Sequence, residues 1–340
     1  MGTQGKRESS AIVASALALL VLLAAFALAA CGGSSTTTSN SPSAAPSQVV
    51  ASPTWTPTMS PAPIPVVKPG DKLPPFSKLK AMFAYDTSEP LGVEKIGGVI
   101  SDSGLTIQVL NFRSRGETAQ GYLVMPEGKG PFPVVVYAPG YCAEATVWLG
   151  PAAVLAKKGY AGLLLEEPLG LWPMVGQGDV QAFVEYAAQE RRGLDLLATM
   201  PEIDAERIGF VGWSTGAMLG GLLSGLDGRI KAFVLYGMVN GDVTTWTWGG
   251  FREQLKLTGV SPKAYVAQMS IVDPTTYLSR NRDAAFLFMW GKEGDYATPS
   301  LQKRFVAAAG PHAGVYMHSG GHGICPDGRK ALEAWIVKNL

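Results

Sequence analysis

Apolar and polar positions along the chain fall into blocks whose period changes. One apolar run, Ala11 to Ala30, follows Lys6 and Arg7. From Gly32 to about Leu73 there is no apolar periodicity and almost no charge, only Ser, Thr, Pro and Ala in quantity. Such a segment cannot bury enough surface to offset its ordering entropy. From about Leu79 the pattern becomes globular. Short aliphatic and β-branched runs predict strands. They lie at Ala81–Tyr85, within Val93–Phe112, and at Thr118–Pro126, Pro133–Gly140, Tyr160–Glu166, Arg207–Trp213, Ile230–Tyr236, Ala285–Trp290 and Gly314–Met317. Helices are predicted at Val147–Lys158, Asp179–Met200, Thr215 to about Leu226 and Arg329–Leu340. In Asp179–Met200 the residues Phe183, Tyr186, Ala187, Leu194 and Leu197 share a face. Arg191 and Asp195 stand one turn apart there, the spacing of a helix-surface ion pair. Strands alternating with helices of this length argue an α/β chain: a mostly parallel central sheet with helices on both faces.

The segment from Gly241 to Arg282 is longer than a crossover requires. Ser261-Pro262 is a helix start, with serine as N-cap and proline in the first turn, and Asp273-Pro274 opens another. This segment is expected to be a crossover helix plus a small helical cap beside the functional edge of the sheet. The chain thus divides into residues 1–30, a flexible tether over 31–78, and one domain over 79–340.

Composition sharpens the compartment and excludes one partner class. With 28 Lys and Arg against 27 Asp and Glu, no electrostatic footprint for nucleic acid is present. The start has the charged and apolar regions of a secretory signal. Its end, Leu28-Ala29-Ala30-Cys31-Gly32, resembles the bacterial lipoprotein signal, which implies that Cys31 becomes the first mature residue and carries lipid. The expectation is an extracytoplasmic protein held to a cell membrane through that anchor.

The candidate chemistry centres on Gly212-Trp213-Ser214-Thr215-Gly216, between a predicted strand and a helix of small residues. A serine there is pushed out above the carboxyl end of a parallel sheet. Its hydroxyl needs a base, and the base needs a carboxylate to hold its tautomer. Of the three histidines, His312 lies in a helix-to-strand turn and His318 ends the last strand. His322 lies in the glycine-rich loop after that strand and is the preferred base. For the acid, Asp295 and Glu293 both follow the strand Phe286–Trp290, and Asp295 is preferred. Acyl transfer also needs two preorganised N–H donors for the oxyanion. Thr215 N–H is one. The other belongs to Ala138-Pro139-Gly140-Tyr141-Cys142, with Tyr141 preferred over Cys142. Trp213, Trp246 and Trp248 are candidates for an apolar substrate pocket. Cys142 and Cys325 both fall near the site, compatible with a bridge or with two free thiols.

From about Leu91 to Leu340 the chain resembles the dienelactone-hydrolase and cutinase-like, polyester-hydrolase-like branches of the α/β-hydrolase superfamily. The resemblance is carried by Pro139-Gly140-Tyr141, Gly212–Gly216, Gly291 with Asp295 and Pro299, and Gly321-His322. It implies the α/β-hydrolase fold, an ester or related acyl bond in a small-molecule substrate, and neither metal nor organic cofactor. Those relatives carry methionine where Thr215 stands, and a shorter serine-to-acid interval. The expectation is a serine hydrolase of carboxylic esters. A thioesterase, amidase or peptidase would use the same triad, and a tethered binding protein would use the same fold without it.

Overall fold

The structure, a computed structural model, describes residues 61–340 apart from 103–104, 142, 169–176, 243–248 and 282. Its strands are β1 (Glu94–Asp102), β2 (Leu105–Ser114), β3 (Glu117–Pro126), β4 (Phe132–Ala138), β5 (Ala161–Leu165), β6 (Ile203–Trp213), β7 (Ile230–Tyr236), β8 (Ala285–Gly291) and β9 (Ala313–His318). They form a 9-stranded sheet in the order β1-β2-β3-β5-β4-β6-β7-β8-β9. The β1-β2-β3 meander is antiparallel and meets β5 antiparallel. From β5 to β9 every pairing is parallel.

The central strands are apolar on both faces because both faces are covered. In β4, Val134, Val136 and Ala138 enter one core while Val135 and Tyr137 enter the other. In β7 the same alternation sends Phe233 and Leu235 one way and Val234 and Tyr236 the other. Helices Gln177–Ala198 and Thr215–Leu226 contribute to the first core, and helices Leu149–Ala156 and Pro326–Asn339 to the second. This arrangement puts the carboxyl ends of β4, β6, β7, β8 and β9 along one edge. Ser214, Asp295, His322 and Tyr141 follow β6, β8, β9 and β4 at that edge.

Three expectations are corrected. Ala81–Tyr85 is not a strand: Phe76–Ala81 is a helix followed by a turn. Its apolar residues Phe76, Leu79, Met82 and Phe83 follow the helical period, and the last three are buried in the first core. The packed domain also begins before residue 79. Ile64 and Val67 lie against the core. The Gln268 amide clamps this stretch, accepting Val67 N–H at 2.9 Å and donating to Pro65 O at 3.0 Å. Finally, Arg191 does not pair with Asp195. It reaches Asp227 at 3.2 Å, while Asp195 pairs with Arg192 at 3.1 Å and Arg229 at 2.7 Å. The tertiary approach of Asp227 and Arg229 supplies closer partners, and Arg191 lies over the Tyr85 ring, 4.6 Å from its centroid.

Within Gly241–Arg282 the described helices are Gly249–Thr258, Pro262–Met269 and Pro274–Leu278. Ser261 caps the second, accepting from Ala264 N–H, with proline in the first turn as predicted. The second packs on Gln177–Ala198, and the third on Thr215–Leu226 and on helix Pro299–Ala309. Among the described residues no helix is long and apolar enough to cross a membrane. Residues 1–30, the lipidation candidate Cys31, and Trp246, Trp248 and Cys142 lie outside the described residues.

Candidate active site

Ser214 joins β6 to the helix Thr215–Leu226 with φ 56° and ψ −111°. That is a sparsely populated conformation for a residue with a Cβ. Neighbours hold it in place. Ser214 N–H donates to Tyr236 O of β7 at 2.8 Å, and Met218 N–H donates to Ser214 O at 3.0 Å. Gly216 then permits a close approach: a Cβ there would run into the carbonyls of Ala138 and Pro139. The start of the elbow helix is thereby seated against the loop after β4, so Thr215 and the Pro139-Gly140-Tyr141 loop are neighbours.

Asp295 comes from the loop after β8. One carboxylate oxygen accepts Gly291 N–H at 3.1 Å. The other faces His322 Nδ1 at 3.1 Å, and the side chain is only 1% exposed. Burial pushes this carboxyl up. The hydrogen bonds from His322 and Gly291 outweigh that effect and hold it below its ordinary range. A carboxylate that stays ionised there fixes the imidazole with Nδ1 protonated and leaves Nε2 as acceptor.

His322 comes from the loop after β9. Its Nε2 lies 2.9 Å from Ser214 Oγ. Gly237, at φ 62°, makes room for the ring, since a Cβ there would stand 2.8 Å from His322 Cε1. Tyr296 flanks the imidazole with centroids 4.4 Å apart, and Trp213 with centroids 5.9 Å apart.

The structure therefore brings Ser214, His322 and Asp295 into one hydrogen-bonded chain, from three loops far apart in sequence. The alternatives fall elsewhere. Glu293 is exposed, and its N–H donates to Gly320 O. His318 is fully buried, with Nδ1 on Ser319 O at 2.9 Å and near Cys325 Sγ at 3.1 Å. Among the described residues Cys325 is a free thiol.

Trp213, read from sequence as a pocket residue, also serves as a strut. Its indole N–H donates to His322 O at 2.9 Å. Two further indoles act alike: Trp148 Nε1 donates to Ala138 O at 2.9 Å, and Trp290 Nε1 to Met238 O at 3.1 Å. Each tethers a loop at the functional edge. An indole donor leaves no periodic signal in the sequence, so these tethers are not legible there. Glu166, at the end of β5, accepts Ala145 N–H at 2.8 Å and so shapes a loop.

Comparisons with known proteins bear on the fold and the esterase class. The family model described as "Esterase FrsA-like" matches residues 98–247. That stretch spans the loop after β4 and the serine elbow, and stops short of Asp295 and His322. Among solved structures, an acetyl xylan esterase from Paenibacillus sp. R4 superposes with a TM-score of 0.64 at 21% identity, covering 78% of this chain and 93% of its own. Acetyl xylan esterase 1 from Thermoanaerobacterium sp. JW/SL YS485 gives 0.63 at 15%, covering 74% and 89%. This is the α/β-hydrolase fold. A glucuronoyl esterase from Solibacter usitatus gives 0.57 at 13% identity, covering 81% of this chain and 89% of its own. The family model and these three structures are described as esterases, and an acylaminoacyl peptidase from Pyrococcus horikoshii shares the fold with a TM-score of 0.52 at 16% identity, covering 72% of this chain and 49% of its own. A search of the curated proteins returned no match.

Proposed function

We propose that this α/β-hydrolase chain is a serine hydrolase of carboxylic esters, with Ser214 as nucleophile, His322 as base and Asp295 as its orienting carboxylate. The observation that carries the reading is the Ser214–His322–Asp295 relay, with links of 2.9 and 3.1 Å. Ser214 Oγ attacks the ester carbonyl carbon as His322 Nε2 takes its proton. The carbonyl oxygen becomes an oxyanion, received by the N–H groups of Thr215 and Tyr141. Collapse of the tetrahedral intermediate breaks the bond to the alcohol oxygen, which His322 protonates as it leaves. Water, deprotonated by His322, then attacks the acyl-enzyme and releases the acid.

The relatives named above point to acetyl groups on carbohydrate as the first ester class to test. The N-terminal pattern adds a lipid anchor at Cys31 and an extracytoplasmic location. A fluorophosphonate probe should label Ser214, and p-nitrophenyl acetate should be turned over faster than the matching thioester or anilide. Preferred cleavage of the anilide would make the protein an amidase. Absence of both labelling and turnover would leave a binding protein on a hydrolase fold.

A further inference from the structure

Tyr236 ends β7 and bonds both Ser214 and the loop that carries His322. Its carbonyl accepts the N–H of Ser214 at 2.8 Å. Its side chain reaches the histidine loop, where the hydroxyl donates to Gly323 O at 2.9 Å and accepts Cys325 N–H at 3.0 Å. Gly323 directly follows His322. The ring stacks on buried His318 with centroids 4.6 Å apart and planes 25° apart. The next residue, Gly237, is the one that leaves space for the His322 ring.

The loop itself is poorly suited to hold a side chain still. Ser319-Gly320-Gly321-His322-Gly323 is mostly glycine, the residue with the most backbone freedom to lose. It needs fixed points outside itself. Asp327 supplies one before the histidine, accepting Ser319 N–H at 2.8 Å and Ser319 Oγ–H at 2.6 Å. Trp213 holds the carbonyl of His322. After the histidine, a single hydroxyl serves two backbone groups, one as donor and one as acceptor.

We infer that Tyr236 is a positioning residue: its phenol hydroxyl fixes the His322 loop on the same strand end that fixes Ser214, and so sets the Nε2-to-Oγ distance. The role requires a neutral phenol, because only the hydroxyl can donate to Gly323 O. Burial pushes the Tyr236 hydroxyl well above its ordinary value; the Cys325 thiol, 3.4 Å away, adds to this and the Cys325 N–H opposes it, so the phenol stays neutral. The inference rests on the catalytic reading above.

The test uses p-nitrophenyl acetate with the full chain. Misplacing a catalytic group by about 1 Å can cost about a hundredfold in rate. Tyr236→Phe removes one oxygen and is expected to lower kcat by about 10- to 100-fold, with KM within about threefold. In a His322→Ala background the same change should leave the residual rate unaltered. A merely structural loss would appear in both backgrounds. Gly328→Ala probes the same point differently, since its Cβ would stand 2.8 Å from Tyr236 Oη and displace the phenol. It should reproduce the kcat loss, and it decides the matter should Tyr236→Phe fail to fold. A folded Tyr236→Phe with wild-type kcat, or one whose loss persists in the His322→Ala background, overturns the positioning role. Full activity in Ser214→Ala would instead overturn the catalytic reading.

Discussion

The backbone of Ser214, the residue proposed to react, is held in a strained conformation. A sparsely populated φ/ψ costs about 1–3 kcal/mol in a residue with a side chain. Glycine relieves that strain but gives back about 0.5–1 kcal/mol in unfolded-chain freedom. Ser214→Gly should therefore be more stable than Ser214→Ala by about 1 kcal/mol, read from denaturant midpoints of these two variants. Equal midpoints would mean the elbow is unstrained. Ser214→Ala and His322→Ala should each lower kcat by about 10⁴- to 10⁶-fold. Asp295→Asn should cost about 10⁴-fold, because an amide N–H cannot accept from Nδ1–H. Glu293→Gln, exposed and outside the relay, should retain near wild-type turnover. A severe loss there would move the acid assignment.

Among the elements, the long helix Gln177–Ala198 is tied to the turn before β7 by ion pairs. Asp227 receives Arg191 and Arg229, and its side chain is only 5% exposed. Burial raises its carboxyl. The hydrogen bonds and charge of Arg229, aided by Arg191, win and hold it below the ordinary range. A depressed folded value means that the stabilisation is present above the unfolded carboxyl pKa of about 3.9 and is lost as pH falls through the folded one. Asp227→Asn should destabilise the domain by about 1–3 kcal/mol at neutral pH. The gap to wild type should narrow below about pH 4. Thermal melts at both pH values check this, and a gap independent of pH would reject it. The same helix carries Glu190, buried, with neither oxygen hydrogen-bonded among the described residues. Burial pushes that carboxyl well up. A raised folded value means stability is lost as pH climbs from the unfolded pKa of about 4.3 toward it. Glu190→Met should therefore raise the melting temperature, and by more at pH 9 than at pH 5. A lower melting temperature at both would show that the carboxyl is needed.

At the scale of the whole molecule, the packed domain reaches back to Ile64. A chain beginning at Ala62 should melt with the full-length protein. One beginning at Leu79 should be clearly less stable, because it loses Ile64, Val67 and Phe76 from the core and both bonds to Gln268. Equal melting of the two shortened chains would show that residues 62–78 only rest on the surface. The proposed anchor belongs to this scale too. Cys31→Ser should abolish lipid modification, read by mass spectrometry of the mature N-terminus.

Local order was legible in the sequence, because it follows from local constraints. Period and length identified the strands from β2 to β9. The strand-turn-helix around Ser214 marked the proposed nucleophile, and chain order marked Asp295 and His322 as its candidate partners. The apolar run at Ala81–Tyr85 misled, because a few apolar residues fit both periods until Phe76 and Leu79 are counted with them. What only tertiary structure decided were the meetings between distant loops. That Asp295 rather than Glu293 faces Nδ1 depends on how the β8 loop turns. Arg191 leaves its helical neighbour because Asp227 arrives from another element. The indole N–H of Trp213 and the hydroxyl of Tyr236 each satisfy a backbone group in the histidine loop. Those bonds join residues more than eighty positions apart, and a single donor or acceptor imposes no spacing on its neighbours in the chain.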